Sequence, residues 1–260
     1  MPELERWVLH RLSELDEIVR DGYARFDFQG VWQAVFTFAT VDLSAFYFDI
    51  RKDALYCDGD TTRRRAARTV LDLLFHRLTT WLAPIMVFTM EEVWLERFPG
   101  VESSVHLQDF PKTPHDWRDD ALAAKWSGVR RARRVVTAAL EVERTNKVIG
   151  ASLEAAPTVY VDDPALAEAL NSVDFDDICI VSDICVEVDG EMVVLGKAGA
   201  QAEDEELASR QAFSLLGEDG IAVVFKKADG EKCARCWKVL PDVGTHSHQG
   251  VCGRWDSAVG

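Results

Sequence analysis

Apolar residues recur at helical spacing from the start of the chain. In ELERWVLHRLSELDEIV, Leu4, Val8, Leu12 or Leu15, and Ile18 or Val19 form one stripe, which predicts an amphipathic helix. FDFQGVWQAVFTFATVDLSAFYFDIRKDALY is aromatic and apolar on most sides, as expected of a buried bundle helix. RRRAARTVLDLLFHRLTTWLAPIMVF predicts a third helix, with Val70, Leu74, Leu78 and Trp81 on one stripe and Pro84 ending or kinking it. In TMEEVWLERFPG, Thr89 with Glu92 fits a capping box, and the Pro-Gly pair stops the element. Four long helices with short links predict an antiparallel bundle.

VESSVHLQDFPKTPHDW reads as a linker, and one further helix is expected from about residue 119 to 146. NKVIGASLEAAPT breaks it. The pattern then turns to short β-rich runs, TVYV, ICIVS, ICVEV, EMVVLG and IAVVFKK, with a helix in DPALAEALNSV, which predicts a small α+β domain. The tail from Asp229 to Gly260 is too polar and too short for its own core, so a metal or a neighbouring domain must support it. The predicted division is a helical bundle over 1–110, a linker with a long basic helix packing on the bundle over 111–150, the α+β domain over 151–228, and a zinc-ribbon-like tail over 229–260. The fold class expected is mainly α.

Composition adds limits. With 48% apolar and 28% charged residues the chain reads as soluble and globular. No uncharged apolar run reaches about 18 residues, so no membrane span is expected. The first residues lack a signal peptide's apolar core. The formal net charge of -15 argues mildly against bulk nucleic-acid affinity. Local patches matter more. Acid gathers in DFDDICIVSD and AEDEELAS, read as solvated surface. Base gathers in TTRRRAARTV and KWSGVRRARRVV, and neither of these contains a carboxylate.

Six cysteines with one C-x-x-C read as intracellular metal ligands plus buried thiols. Cys233, Cys236 and Cys252 match a zinc ribbon, but Trp255 stands where the fourth thiolate belongs, and indole does not ligate zinc. His246, His248 and Asp256 are candidate replacements. His248, four residues before Cys252, is preferred and completes a Cys-Cys-His-Cys set. A degenerate, weakly occupied or empty site is the alternative. Cys57, Cys179 and Cys185 read as buried thiols.

Trp237 follows the first cysteine pair. It either packs over the metal loop or offers a stacking platform to an unpaired base, with Arg235 and Arg254 nearby. Arg130, Arg131 and Arg134, like Arg63, Arg64, Arg65 and Arg68, form helix faces whose mutual repulsion needs neutralising. A solvated face is the plain reading, and phosphate is the functional one. No nucleophile motif and no Gly-rich phosphate loop occurs.

Several stretches together resemble one family. DLSAFYFDIRKDALYCD resembles a long helix of the anticodon-binding bundle of bacterial isoleucyl-tRNA synthetases. WLAPIMVFTMEEVW resembles a segment shared with the valyl and leucyl enzymes. NKVIGASLEAAPTVYV and GEKCARCW resemble the segment after the bundle and the start of the C-terminal zinc module. The resemblance covers essentially the whole chain, in the family's order. It implies a class Ia anticodon-binding bundle, a junction domain and a zinc module that together grip the anticodon stem-loop of tRNA(Ile).

The family's His-x-Gly-His and Lys-Met-Ser-Lys-Ser motifs are missing, as is its editing domain. The expectation is therefore the C-terminal third of a cytoplasmic, monomeric enzyme that uses ATP only in its catalytic part. This chain alone is not expected to activate isoleucine. A stand-alone zinc-containing module that binds protein and not RNA is the alternative, with the matching part of a valyl or leucyl enzyme as a third reading.

Overall fold

In the computed structural model, which describes residues 1–191 and 212–259, the first stripe becomes α1 (Glu3–Ala24). Leu4, Val8, Leu12, Leu15 and Val19 are buried, and Ile18 is left in solvent. The chain divides into two compact units, Met1–Ala123 and Ala124–Gly260.

In the first unit, Asp27 accepts a 2.9 Å hydrogen bond from the Gly30 N–H and so caps α2 (Phe28–Thr37). The helix runs on through eleven residues of wider, π-helical turns, Phe38–Phe48, into α3 (Asp49–Tyr56). Val31, Val35, Phe38, Leu43, Phe46 and Tyr47 are buried, but Phe28, Trp32, Phe36 and Val41 are exposed. This corrects the expectation of burial on most sides.

By length and composition, Phe28–Tyr56 is apolar enough to cross a membrane, a test that soluble core helices also pass. Its polar groups answer to α1. Asp42, nearly fully buried, meets Arg11 at 3.2 Å. Arg51 grips the fully buried Glu5 through Nε (2.6 Å) and a second guanidinium nitrogen (3.1 Å). The Tyr47 hydroxyl donates to the same carboxylate at 3.3 Å. Burial, and then the Glu5 charge, push the Tyr47 phenol well above its ordinary range.

Thr61 caps α4 (Thr62–Leu82), which buries Val70, Leu74 and Trp81 and stops two residues before Pro84, as expected. Then α5 (Val87–Arg97) begins earlier than the capping box predicts. Thr89 lies inside its first turn and caps nothing. The tight turn after Leu82, closed by the Met86 N–H on the Leu82 carbonyl at 2.7 Å, fixes the start. Glu91 instead receives the Ser104 hydroxyl and the Val105 N–H.

α1 and α2 are closely packed at Gly22. A Cβ there would lie 2.5 Å from Cγ2 of the fully buried Val31. Alanine is the better helix former by about 1 kcal/mol, but overpacking costs about 1–3 kcal/mol. Gly22→Ala is therefore expected to lower the urea midpoint with the m-value unchanged.

The second unit contains most of α6 (Asp120–Thr145), whose Val129, Ala132, Val135, Val136 and Leu140 are buried. It ends at Lys147, which takes a left-handed conformation. The sheet order is β2-β1-β4-β3. β1 (Thr158–Val161) pairs parallel with β2 (Cys185–Val188) and antiparallel with β4 (Ile221–Val224), and β3 (Ala212–Phe213) edges β4. Asp163 caps α7 (Pro164–Asn171). ICIVS, expected as a strand, instead overlaps α8 (Phe175–Cys179). Asp176 and Asp177 lie in its first turn, where the helix dipole favours them, and Ile180 stops it in a left-handed conformation. EMVVLG after Glu191 and the acidic run AEDEELAS lie outside the described residues.

Candidate metal and nucleic-acid sites

The tail is a hairpin of two short strands, β5 (Glu231–Lys232) and β6 (Val239–Leu240), followed by α9 (Gly253–Val259). The turn between the strands carries Cys233 and Cys236, and Cys252 immediately precedes α9. All three cysteines are buried, with their sulfurs within 4.8 Å of one another. Cys236 and Cys252 are 3.7 Å apart at sulfur. A tetrahedral zinc with bonds of about 2.3 Å needs sulfur–sulfur edges of about 3.8 Å, so these residues fit the metal.

Burial pushes the Cys233 thiol up, but the N–H groups of Arg235, Cys236 and Cys252 outweigh it and bring it down to about 7. Burial, with Cys233 and Cys252 as neighbours, pushes Cys236 up to about 12. Backbone N–H groups thus favour a thiolate in the cluster, and the crowding of the sulfurs opposes a second. A bound divalent ion reverses that constraint and deprotonates its ligands.

Among the described residues, neither His248, the other predicted ligand, nor His246 has a ring nitrogen within 4.8 Å of all three sulfurs. His248 is half exposed and shares Asp256 through both its Nδ1 (2.9 Å) and its backbone N–H (2.8 Å). Hydrogen bonds from Ser247 and His248 hold the Asp256 carboxyl well below the usual range. Trp255 is buried, with its indole N–H unpartnered among the described residues. Of the remaining thiols, Cys179 is buried, Cys57 half-buried and Cys185 exposed, which corrects the last.

Trp237 is 60% exposed, and its backbone is left-handed at φ 65°. That conformation is costly for a bulky residue and marks a position held by its surroundings. Here the Trp237 N–H bonds the Cys233 carbonyl at 3.1 Å. The ring faces solvent, with the Lys232 ammonium 5.9 Å from its centre. Arg235 is exposed beside it, 6.0 Å from the Trp255 ring centre.

Lys238 and Arg254 turn the other way. The Lys238 ammonium bonds Asp176 (2.7 Å) and Asp177 (2.8 Å), and Arg254 reaches Asp177 at 3.7 Å. These carboxylates, read from sequence as solvated surface, tie the tail to α8. The signal available was an acid pair opening a short helix, with Lys232, Arg235, Lys238 and Arg254 as candidate partners in the tail.

The helix arginines separate into two groups. Arg131 and Arg134 share Glu218, at 3.0 and 2.5 Å, so protein rather than phosphate neutralises them here. Arg130 is half-buried. On α4, Arg64 bonds the Asp58 carbonyl, Arg65 pairs with Asp60 at 2.9 Å, Arg63 is half-buried and Arg68 is exposed. Arg65 and Arg68 line an open groove of about 810 Å³ with Asp72, Phe75 and Arg97. Arg97, missed from sequence, pairs with Asp72 and lies over the Phe75 ring at 4.6 Å.

A family model described as the anticodon-binding domain of tRNA ligase matches residues 5–159. Isoleucine–tRNA ligase of Ruegeria pomeroyi is 64% identical over 260 residues, covering all of this chain and 25% of that protein. The Brucella abortus enzyme of the same name is 52% identical over 245 residues, covering 94% of this chain and 23% of its own length. For Agrobacterium fabrum the values are 50% over 246 residues, 94% and 24%. The chain thus spans about a quarter of these relatives. With the helical first unit and the start of the second inside the matched region, the chain belongs to the family of anticodon-binding domains of tRNA ligases.

Proposed function

We propose that this chain is the tRNA-recognising portion of an isoleucine–tRNA ligase and binds the anticodon stem-loop of tRNA(Ile). The activity of the parent enzyme, which joins isoleucine to tRNA at the expense of ATP in the cytoplasm, belongs to the rest of the polypeptide. The chain works as a monomer. Its parts are an antiparallel bundle (1–110), the basic-helix segment (111–150), a junction domain (151–228) and a zinc module (229–260).

The observation that carries this reading is the exposed, left-handed Trp237, with the Lys232 ammonium 5.9 Å from its ring centre. An unpaired base stacks on such a ring at a gain of about 1–3 kcal/mol. Arg63, Arg64, Arg65 and Arg68, with Arg130, Arg131 and Arg134, supply backbone contacts, and Arg254 supports the tail.

Cys233, Cys236 and Cys252 would hold a zinc ion, which would supply no chemistry in this role but would tie the hairpin turn to α9 and so support the Trp237 platform. Protein groups do the binding.

The test is fluorescence anisotropy with tRNA(Ile) and tRNA(Val) over a salt series. Binding that prefers tRNA(Ile) and weakens with salt is expected. Trp237→Ala is expected to weaken it about 5- to 150-fold. Absence of binding at low salt would leave the protein-interaction reading in its place.

A further inference from the structure

Trp255 occupies the position where a fourth thiolate would complete the metal site. Its indole is buried, offers no lone pair, and has no partner for its N–H among the described residues. The remaining ligand must therefore come from elsewhere in the module.

Two histidines lie near α9, each held by a carboxylate, and the pairs differ in place. His248 is tied to Asp256, one turn along the helix from the cysteines. His246 lies at the helix start. Its Nε2 is 2.9 Å from Asp242 Oδ2, and the same oxygen caps α9 by accepting the Gly253 N–H at 2.8 Å. The ring lies so close to Gly253, the residue after Cys252, that a Cβ there would meet Nε2 at 3.0 Å. Among the described residues no hydrogen bond engages the His246 Nδ1.

We infer that His246, oriented by Asp242, is the fourth ligand of the three-cysteine site and binds the metal through Nδ1. This rests on the zinc reading given above.

Three features support it. A metal-bound imidazole commonly donates its other N–H to a carboxylate, and the Asp242–Nε2 contact is that arrangement already formed. Asp242 also caps α9, so one carboxylate positions both the histidine and the helix that follows Cys252. Gly253, which lacks a side chain, lets the ring lie against the residue that follows Cys252. The set becomes three thiolates and one imidazole, a closed tetrahedral site with a structural role.

The test uses the full chain. Zinc per chain is measured first by elemental analysis. Cobalt(II) is then substituted, and its absorption is compared across the wild type, His246→Ala, His248→Ala and Asp242→Asn, with affinity taken from chelator competition. Helical circular dichroism confirms that each variant folds. The expected result is about one zinc per wild-type chain and a cobalt spectrum altered only by His246→Ala and Asp242→Asn. Affinity should fall about 10- to 100-fold for Asp242→Asn and further for His246→Ala. A change confined to His248→Ala would overturn the assignment in favour of His248. Unchanged affinity in both histidine variants would overturn it in favour of water. A wild-type chain that takes up no zinc or cobalt would remove the zinc reading itself, a result distinct from either.

Discussion

Glu5→Ala is expected to destabilise the first unit by about 3–5 kcal/mol, the cost of leaving a buried charge without its partner. The Glu5 side chain is fully buried, and Arg51, itself 7% exposed, reaches it with two nitrogens. Removing the carboxylate leaves the guanidinium with no route to water and takes away the acceptor of the Tyr47 hydroxyl. For a unit of this size the midpoint of thermal unfolding should fall by roughly 10–20 °C. The contrasting variant is Glu5→Leu combined with Arg51→Met. It removes both charges, and such replacements are often neutral or stabilising by about 1–4 kcal/mol. Differential scanning calorimetry on the three proteins decides the matter. A double variant as unstable as Glu5→Ala would show that the pair contributes through its shape, not through the charge left behind.

Stripping the metal is expected to have the second large effect. A chelator should release one zinc per chain, unfold the tail and leave the helical circular dichroism almost unchanged. Two-residue strands and a seven-residue helix bury too little to stand alone. Structural zinc contributes an apparent 10–16 kcal/mol, as an order of magnitude, in comparable small modules. What remains after removal is the Lys238 clamp on Asp176 and Asp177 and the 2.6 Å bond from the Val239 N–H to Ser182. Those contacts hold β6 and not the cysteine turn, while α9 keeps the longer, 3.7 Å contact of Arg254 with Asp177. Amide hydrogen exchange should therefore accelerate at 233–237 and 252–259 and stay slow at Val239. Binding of tRNA should fall at least as far as in Trp237→Ala. Uniformly slow exchange after chelation would mean that packing around Trp255 alone keeps the module folded.

Much of this was legible along the chain because it is local. The stripe of α1, the stop before Pro84, the Asp163 cap and the C-x-x-C turn each depend on residues a few positions apart. The errors were local signals overruled. ICIVS has strand-like composition, but an acid pair at the start of α8 and left-handed Ile180 make it a helix and its stop. Thr89 and Glu92 have capping-box spacing, but the turn after Leu82 starts α5 before them. The unseen contacts are distant ones. Glu5 and Arg51 lie on different helices, Glu218 reaches back to Arg131 and Arg134, and Asp176 and Asp177 reach forward to Lys238. A charge run therefore could not be divided by reading alone into a part that faces protein and a part that faces phosphate.

The π-helical run Phe38–Phe48 gives the chain a fixed angular phase. It takes in more residues per turn than α geometry, so α3 emerges rotated relative to the continuation of α2. Neighbouring residues of an α-helix are about 100° apart around the axis. Deleting a single residue here, and letting the narrower winding resume, would turn α3 by about that angle. Arg51 would then point away from Glu5, although every apolar residue of α2 kept its place. Between Phe28 and Tyr56, chain length is thus constrained as tightly as residue identity. A one-residue insertion or deletion would register as misdirected charge rather than as lost apolar burial.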